Sequence, residues 1–120
     1  MISENIHNVL SQHFDLVVIG DLPNTNADCV AIMEYDSSGI VDFFGGTAQD
    51  FILYPLIKVV IRTRTYEAGQ QGIEHVKELL HKYSDESILS MTMVKSPMYL
   101  GKGATKLHEF QVTFKTIIKE

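Results

Sequence analysis

Hydrophobic residues in this chain change their spacing several times, and each change marks an element. Ile2, Ile6, Val9, Leu10 and His13 recur at helical spacing and predict a short amphipathic helix. Phe14 to Ile19 is apolar and β-branched, a strand closed by Gly20-Asp21-Leu22-Pro23-Asn24, where Gly, Pro and Asn suit a turn. Cys29 to Tyr35 predicts a second strand. Tyr54 to Arg64 alternates, with Ile57, Val59, Ile61 and Thr63 on one face and Lys58, Val60, Arg62 and Arg64 on the other. That second face is basic, as expected of a sheet surface that is partly wet.

The period then becomes helical from Glu67 to about Tyr83, with a stripe of Gly69, Gly72, Ile73, Val76, Leu79, Leu80 and Tyr83. Thr65 suits the N-cap and Glu67 the positive helix start. Glu78 and Lys82 are spaced to pair, and His81 and Lys82 suit the negative end. Each helix glycine costs about 1 kcal/mol relative to Ala. Their place on the apolar stripe predicts close packing on the sheet. Ile88 to Lys95 predicts another strand, which Pro97 and Gly101-Lys102-Gly103 turn back into Leu107 to Ile118. In that last strand Phe110, Val112, Phe114 and Thr116 form the buried row.

Between the early strands and the central one lies Asp36 to Phe51, a long connection holding Ser37-Ser38-Gly39 and Gly45-Gly46-Thr47. A short strand around Ile40 to Phe44 fits within it. Phe43, Phe44 and Phe51 either fold back on the core or await another protein. These elements describe one α+β domain over residues 1–120: a largely antiparallel sheet with two α-helices packed on one face.

Charge is unevenly spread along this pattern. Before Lys58 there are eight carboxylates and no Lys or Arg; from Lys58 onward ten basic residues face seven acidic ones. The first stretch is −8 and the second +3, giving −5 for the chain. Either the charges mix in space as strands interleave, or the chain meets partners through unlike surfaces. Composition is otherwise ordinary, at 45% hydrophobic and 21% charged. No run approaches the ~18 apolar residues needed to cross a bilayer, and Met1-Ile2-Ser3-Glu4 lacks a basic signal-peptide start. The lone Cys29 reads as a small buried hydrophobe, which fits synthesis in a reducing cytoplasm.

No reaction chemistry emerges from the motifs, and no cofactor or metal is implied. Gly101-Lys102-Gly103-Ala104-Thr105-Lys106 fails as a phosphate loop: Ser96 stands in place of the first glycine, and a strand follows instead of a helix. His7, His13, His75, His81 and His108 show no ligand spacing, and no nucleophile-elbow glycines surround any serine. Glu34 and Asp36 could form a carboxylate pair, but a solvated strand end explains them. Lys58, Arg62 and Arg64, without an aromatic stacking platform, are too few for nucleic-acid binding.

Three stretches resemble one family. Gly20-Asp21-Leu22-Pro23-Asn24 with Asp28-Cys29-Val30-Ala31-Ile32-Met33-Glu34-Tyr35 is the first. Val60-Ile61-Arg62-Thr63-Arg64-Thr65-Tyr66-Glu67 is the second, and Ser96-Pro97-Met98-Tyr99-Leu100-Gly101 with His108-Glu109-Phe110-Gln111-Val112-Thr113-Phe114 the third. Together they resemble the minor capsid and tail-terminator proteins of long-tailed bacteriophages over nearly the whole chain. The resemblance implies a virion protein made in the bacterial cytoplasm, without catalytic residues. It implies a ring, usually of six copies, that ends the tail tube and offers a head–tail joining surface. Its partners would be further copies, the major tail tube protein and the head connector, with DNA only passing through the ring. Lys58, Arg62 and Arg64 are candidates for the basic side of a subunit contact. Asp36, Asp42 and Asp50 are candidates for the acidic side or the tail-tube partner, and Phe43, Phe44 and Phe51 for apolar anchoring. The alternative is a small module that recognises a peptide or protein through a sheet edge or the 36–53 loop. An enzyme would instead need a pocket joining a histidine to a carboxylate.

Overall fold

The computed structural model describes residues 2–22, 28–35, 40–41, 52–53, 56–85, 88–102 and 106–118. Helix α1 (Ile2–Leu10) leads to strands β1 (Val17–Ile19) and β2 (Cys29–Tyr35). A small ribbon of β3 (Ile40–Val41) and β4 (Ile52–Leu53) precedes β5 (Leu56–Thr63). Helix α2 (Tyr66–Leu80) and the hairpin β6 (Ile88–Lys102) and β7 (His108–Ile118) follow. The main sheet runs β1-β2-β5-β7-β6, antiparallel throughout except for the parallel β1–β2 pair. This is the expected α+β class.

Both helices cover the face carrying Ile57, Val59 and Ile61, where Ile6, Leu10, Ile73, Val76 and Leu80 meet Val112 and Phe114. Each such side chain contributes roughly 1.5–3 kcal/mol when taken fully out of water. The Thr65 hydroxyl caps α2 by accepting from the Ala68 amide at 3.2 Å. A Cβ on Gly69 would strike the Phe110 ring and come within 2.6 Å of Thr63 Oγ1, and one on Gly72 would meet Ile61. The two glycines therefore let α2 lie against β5 and β7, as their place on the stripe predicts. Lys82 lies beyond the helix at φ 68°, so it does not extend the helical face toward Glu78; the observed helix ion pair is Glu74–Lys77 at 3.2 Å.

Helix α2 ends at Leu80 rather than near Tyr83, and β5 runs Leu56–Thr63 within the expected Tyr54–Arg64; two further boundary differences matter more. The first strand starts at Val17, because the Phe14 amide still donates to Leu10 O at 3.0 Å and prolongs the α1 turn. The larger difference is β6, which does not turn at Pro97 but runs on to Lys102. Its 15 residues face 11 in β7, and the register shifts at four places. Each shift is a β-bulge that absorbs one extra residue. Pro97 is tolerated because β6 ends the sheet and its missing N–H interrupts no inner ladder. Gly101, at φ 96°, takes a backbone conformation that other residues resist.

The sheet order also decides the charge question. β1 and β2 come from the stretch without Lys or Arg, and they sit together at one side; β7 and β6 occupy the other. Among the described residues, strands of the two stretches do not interleave in the main sheet, although β4, from the early stretch, lies against β7.

Candidate interface

The basic residues of β5 do not form one even row. Arg62 is 3% exposed, set between Cys29 on β2 and Glu109 on β7 on the face away from the helices. Burial pushes the Cys29 thiol up, and the Arg62 guanidinium, by charge and hydrogen bond, works against that rise. Lys58 is half-buried between Met33 and Thr113. Arg64 lies past the strand end, exposed; its amide donates to Asp28 Oδ1 at 3.0 Å and its Nε lies 4.0 Å from that oxygen. An exposed pair of this length contributes little to stability. The expected partly wet basic face is thus incorrect at Arg62, because β2 and β7 flank it on both sides. Asp36, Asp42, Phe43, Phe44, Asp50 and Phe51 lie outside the described residues.

Near Arg62 a cleft of about 270 Å³ is lined by His13, Phe14, Asp28, Cys29 and Gly72, among others. His13 packs against the His75 ring at 5.1 Å, while Asp28 is engaged by Arg64. A nucleophilic thiol needs its pKa lowered, whereas that of Cys29 is raised. Elsewhere the histidines tie down local structure. His7 Nε2 lies 2.9 Å from Val17 O, and His81 Nδ1 accepts from the Met93 amide at 3.2 Å. Glu34 accepts from the Ser3 hydroxyl at 2.9 Å, joining β2 to α1. Among the described residues, no group of three or more His, Cys, Asp or Glu could hold a metal. None of the described helices is long and apolar enough to cross a membrane.

The most conspicuous surface lies mostly in a segment the sequence reading assigned to a turn. Along β6, Val94, Met98, Tyr99 and Leu100 are each at least 40% exposed. Val94 and Leu100 sit at bulges, outside the regular register with β7. Tyr99 packs on Tyr66 and Phe110 at centroid distances of 5.0 and 4.9 Å, and its hydroxyl lies 2.9 Å from His108 Nδ1. Exposed apolar side chains grouped on a braced edge are characteristic of interaction surfaces. The absence of clean alternation in Val94-Lys95-Ser96-Pro97-Met98-Tyr99-Leu100 was a usable signal of bulges.

Comparison with known proteins follows this geometry. The family model described as "Bacteriophage tail terminator protein" matches residues 5–120. No curated protein matches. Among solved structures, a chain of the "Virion of native gene transfer agent (GTA) particle" is similar in fold. It shows 10% identity and a TM-score of 0.54, covering 93% of this chain and 84% of that one.

Proposed function

This chain belongs to the bacteriophage tail terminator family, a structural component of the phage tail, and from that premise we propose that it assembles into a ring that ends the tail tube. Six copies around the tube axis, with one face toward the tube and the other toward the head connector, is the arrangement we favour. The observation that carries this reading is the lateral sorting of charge: the early strands, from a stretch with acids and no Lys or Arg, sit on one side of the main sheet and the hairpin on the other. A subunit with unlike sides is suited to heterologous contacts, in which one patch meets a different patch on the neighbour, and such contacts form rings when the rotation between neighbours closes. The protein acts as one domain, without cofactor or catalytic step, and DNA meets it only in transit.

Lys58 and Arg64 remain candidates for subunit contact, with Arg62 supporting them from within the sheet. Asp36, Asp42 and Asp50, with Phe43, Phe44 and Phe51, are candidates for contact with the tube. Purified protein mixed with assembled tail tubes tests the proposal. Rings by negative stain, or density capping tube ends and halting elongation, are expected. Tubes that stay uncapped and keep growing would refute it. A peptide-recognition module, which the exposed β6 edge could also serve, predicts instead a monomer or dimer with one dominant partner. For the residue assignments, Lys58→Glu with Arg64→Glu should weaken assembly; full assembly would remove both from the interface.

A further inference from the structure

We infer that the ring is closed by the two opposite edges of the sheet, β6 of one copy lying against β1 of the next. This rests on the ring reading above and adds the surfaces and their register. Three observations lead to it.

The first is apolar. Leu16 and Ile19, at the β1 edge, are 38% and 47% exposed, and Val94, Met98 and Leu100 on β6 are 46%, 41% and 47% exposed. The second is charge. Residues 2–35, which build the β1 edge, contain no Lys or Arg, and exposed Asp15 and Asp21 flank β1. Residues 88–102 contain no Asp or Glu, and Lys95 and Lys102 are exposed. The third is height along the strands. Tracing partners across the sheet, Val18 lies in line with Ala31, Val60, Gln111 and Met98. Val17 lies in line, through Val30, Ile61 and Phe110, with Tyr99.

Met98 and Leu100 therefore fall within the rows spanned by Leu16 to Ile19, while Val94 stands level with Gly20 and Asp21. Asp21 lies toward the Lys95 end of those rows and Asp15 toward the Lys102 end. Strand directions also agree. β1 and β2 are parallel and each later step reverses, so β6 runs opposite to β1. A neighbour rotated about an axis along the strands would set its β1 antiparallel to β6, with apolar rows facing and carboxylates at the two lysines.

The junction is made by side chains rather than by a continued ladder. Val17 O already lies 2.9 Å from His7 Nε2, Pro97 has no N–H, and the bulges distort β6. Opposite charges on the two edges steer the correct pairing and oppose like-edge contact.

Disulfide trapping in the full chain provides the test. Val18→Cys combined with Met98→Cys, which share a row and a face, should form, on mild oxidation, a ladder of covalent multimers ending at the ring. Each single variant should stop at dimers, because the native Cys29 is buried. If wild type closes rings and the double variant stays unlinked, the edge assignment is wrong while the ring reading stands. If wild type neither closes rings nor caps tubes but the pair links, the edge contact stands and the ring reading falls. A charge exchange gives an independent measurement on folded protein, checked by circular dichroism. Lys95→Glu with Lys102→Glu, and Asp15→Lys with Asp21→Lys, should each weaken assembly at least about tenfold. An equimolar mixture should recover it as alternating rings, since one variant has two acidic edges and the other two basic ones. Undiminished assembly of both variants alone would overturn the inference.

Discussion

β1 and β6 both end the sheet, yet they are finished in different ways. β1 has 3 residues and α1 packs against it, His7 reaching a backbone carbonyl of the strand while Leu16 and Ile19 stay exposed. β6 has 15 residues with four register shifts, Pro97 and two lysines. Sheet edges invite unwanted pairing, and short length, a covering helix, bulges, Pro and Lys are alternative ways to prevent it. β1 uses short length, with one outward carbonyl held by His7, and β6 uses the last three. The consequence is that β6 suppresses backbone pairing without hiding its side chains, so it can contact a chosen neighbour while resisting indiscriminate strand addition.

This contrast can be broken from either side. The largest effect is expected on the β1 side: Leu10→Ala, at a fully buried position of α1, should cost about 3 kcal/mol in urea unfolding. It should also raise amide exchange in β1 before β7. On the hairpin side the sensitive place lies beneath the edge. Gly69→Ala drives a methyl into Phe110 and Thr63 and should cost about 2 kcal/mol net of its helix propensity gain. Gly72→Ala meets the flexible end of Ile61 and should cost less. His7→Ala removes one side-chain link to β1 and should cost about 1 kcal/mol, with faster exchange confined to β1. The smallest stability effect belongs to Leu100→Thr on the exposed β6 edge, within about 0.5 kcal/mol for the monomer. Its effect should appear in assembly. A large monomer destabilisation there would mean that β6 is structural rather than a docking edge.

How much of this was legible in advance differs from element to element. β2 was readable to its ends, Cys29 and Tyr35, because an apolar run interrupted only by Glu34 and flanked by turn residues has little else to become. The N-cap at Thr65 and the close approach at Gly69 were readable because each follows from one residue's chemistry. β6 was not. Pro97 signals a turn locally, and its acceptance within a strand depends on that strand ending the sheet. Arg62 was misread for the same kind of reason: alternation assigns a face, but burial depends on what β2 and β7 place alongside. Of the candidate contacts, Lys58 and Arg64 are placed by the structure, whereas the aromatic and acidic residues of 36–51 fall outside the described residues.

By itself the sequence determined most of the helical and extended segments, which faces are apolar, and that acid precedes base along the chain. Those properties depend on neighbours within a few residues, through helical and strand periods and turn chemistry. The tertiary structure alone decided that the charge order becomes a difference between two sheet edges. That outcome depends on strand order and register, which pair residues as far apart as Cys29 and Arg62 and then Arg62 and Glu109. Strand order β1-β2-β5-β7-β6 keeps early strands with early and late with late, so an asymmetry in sequence survives folding as an asymmetry in space.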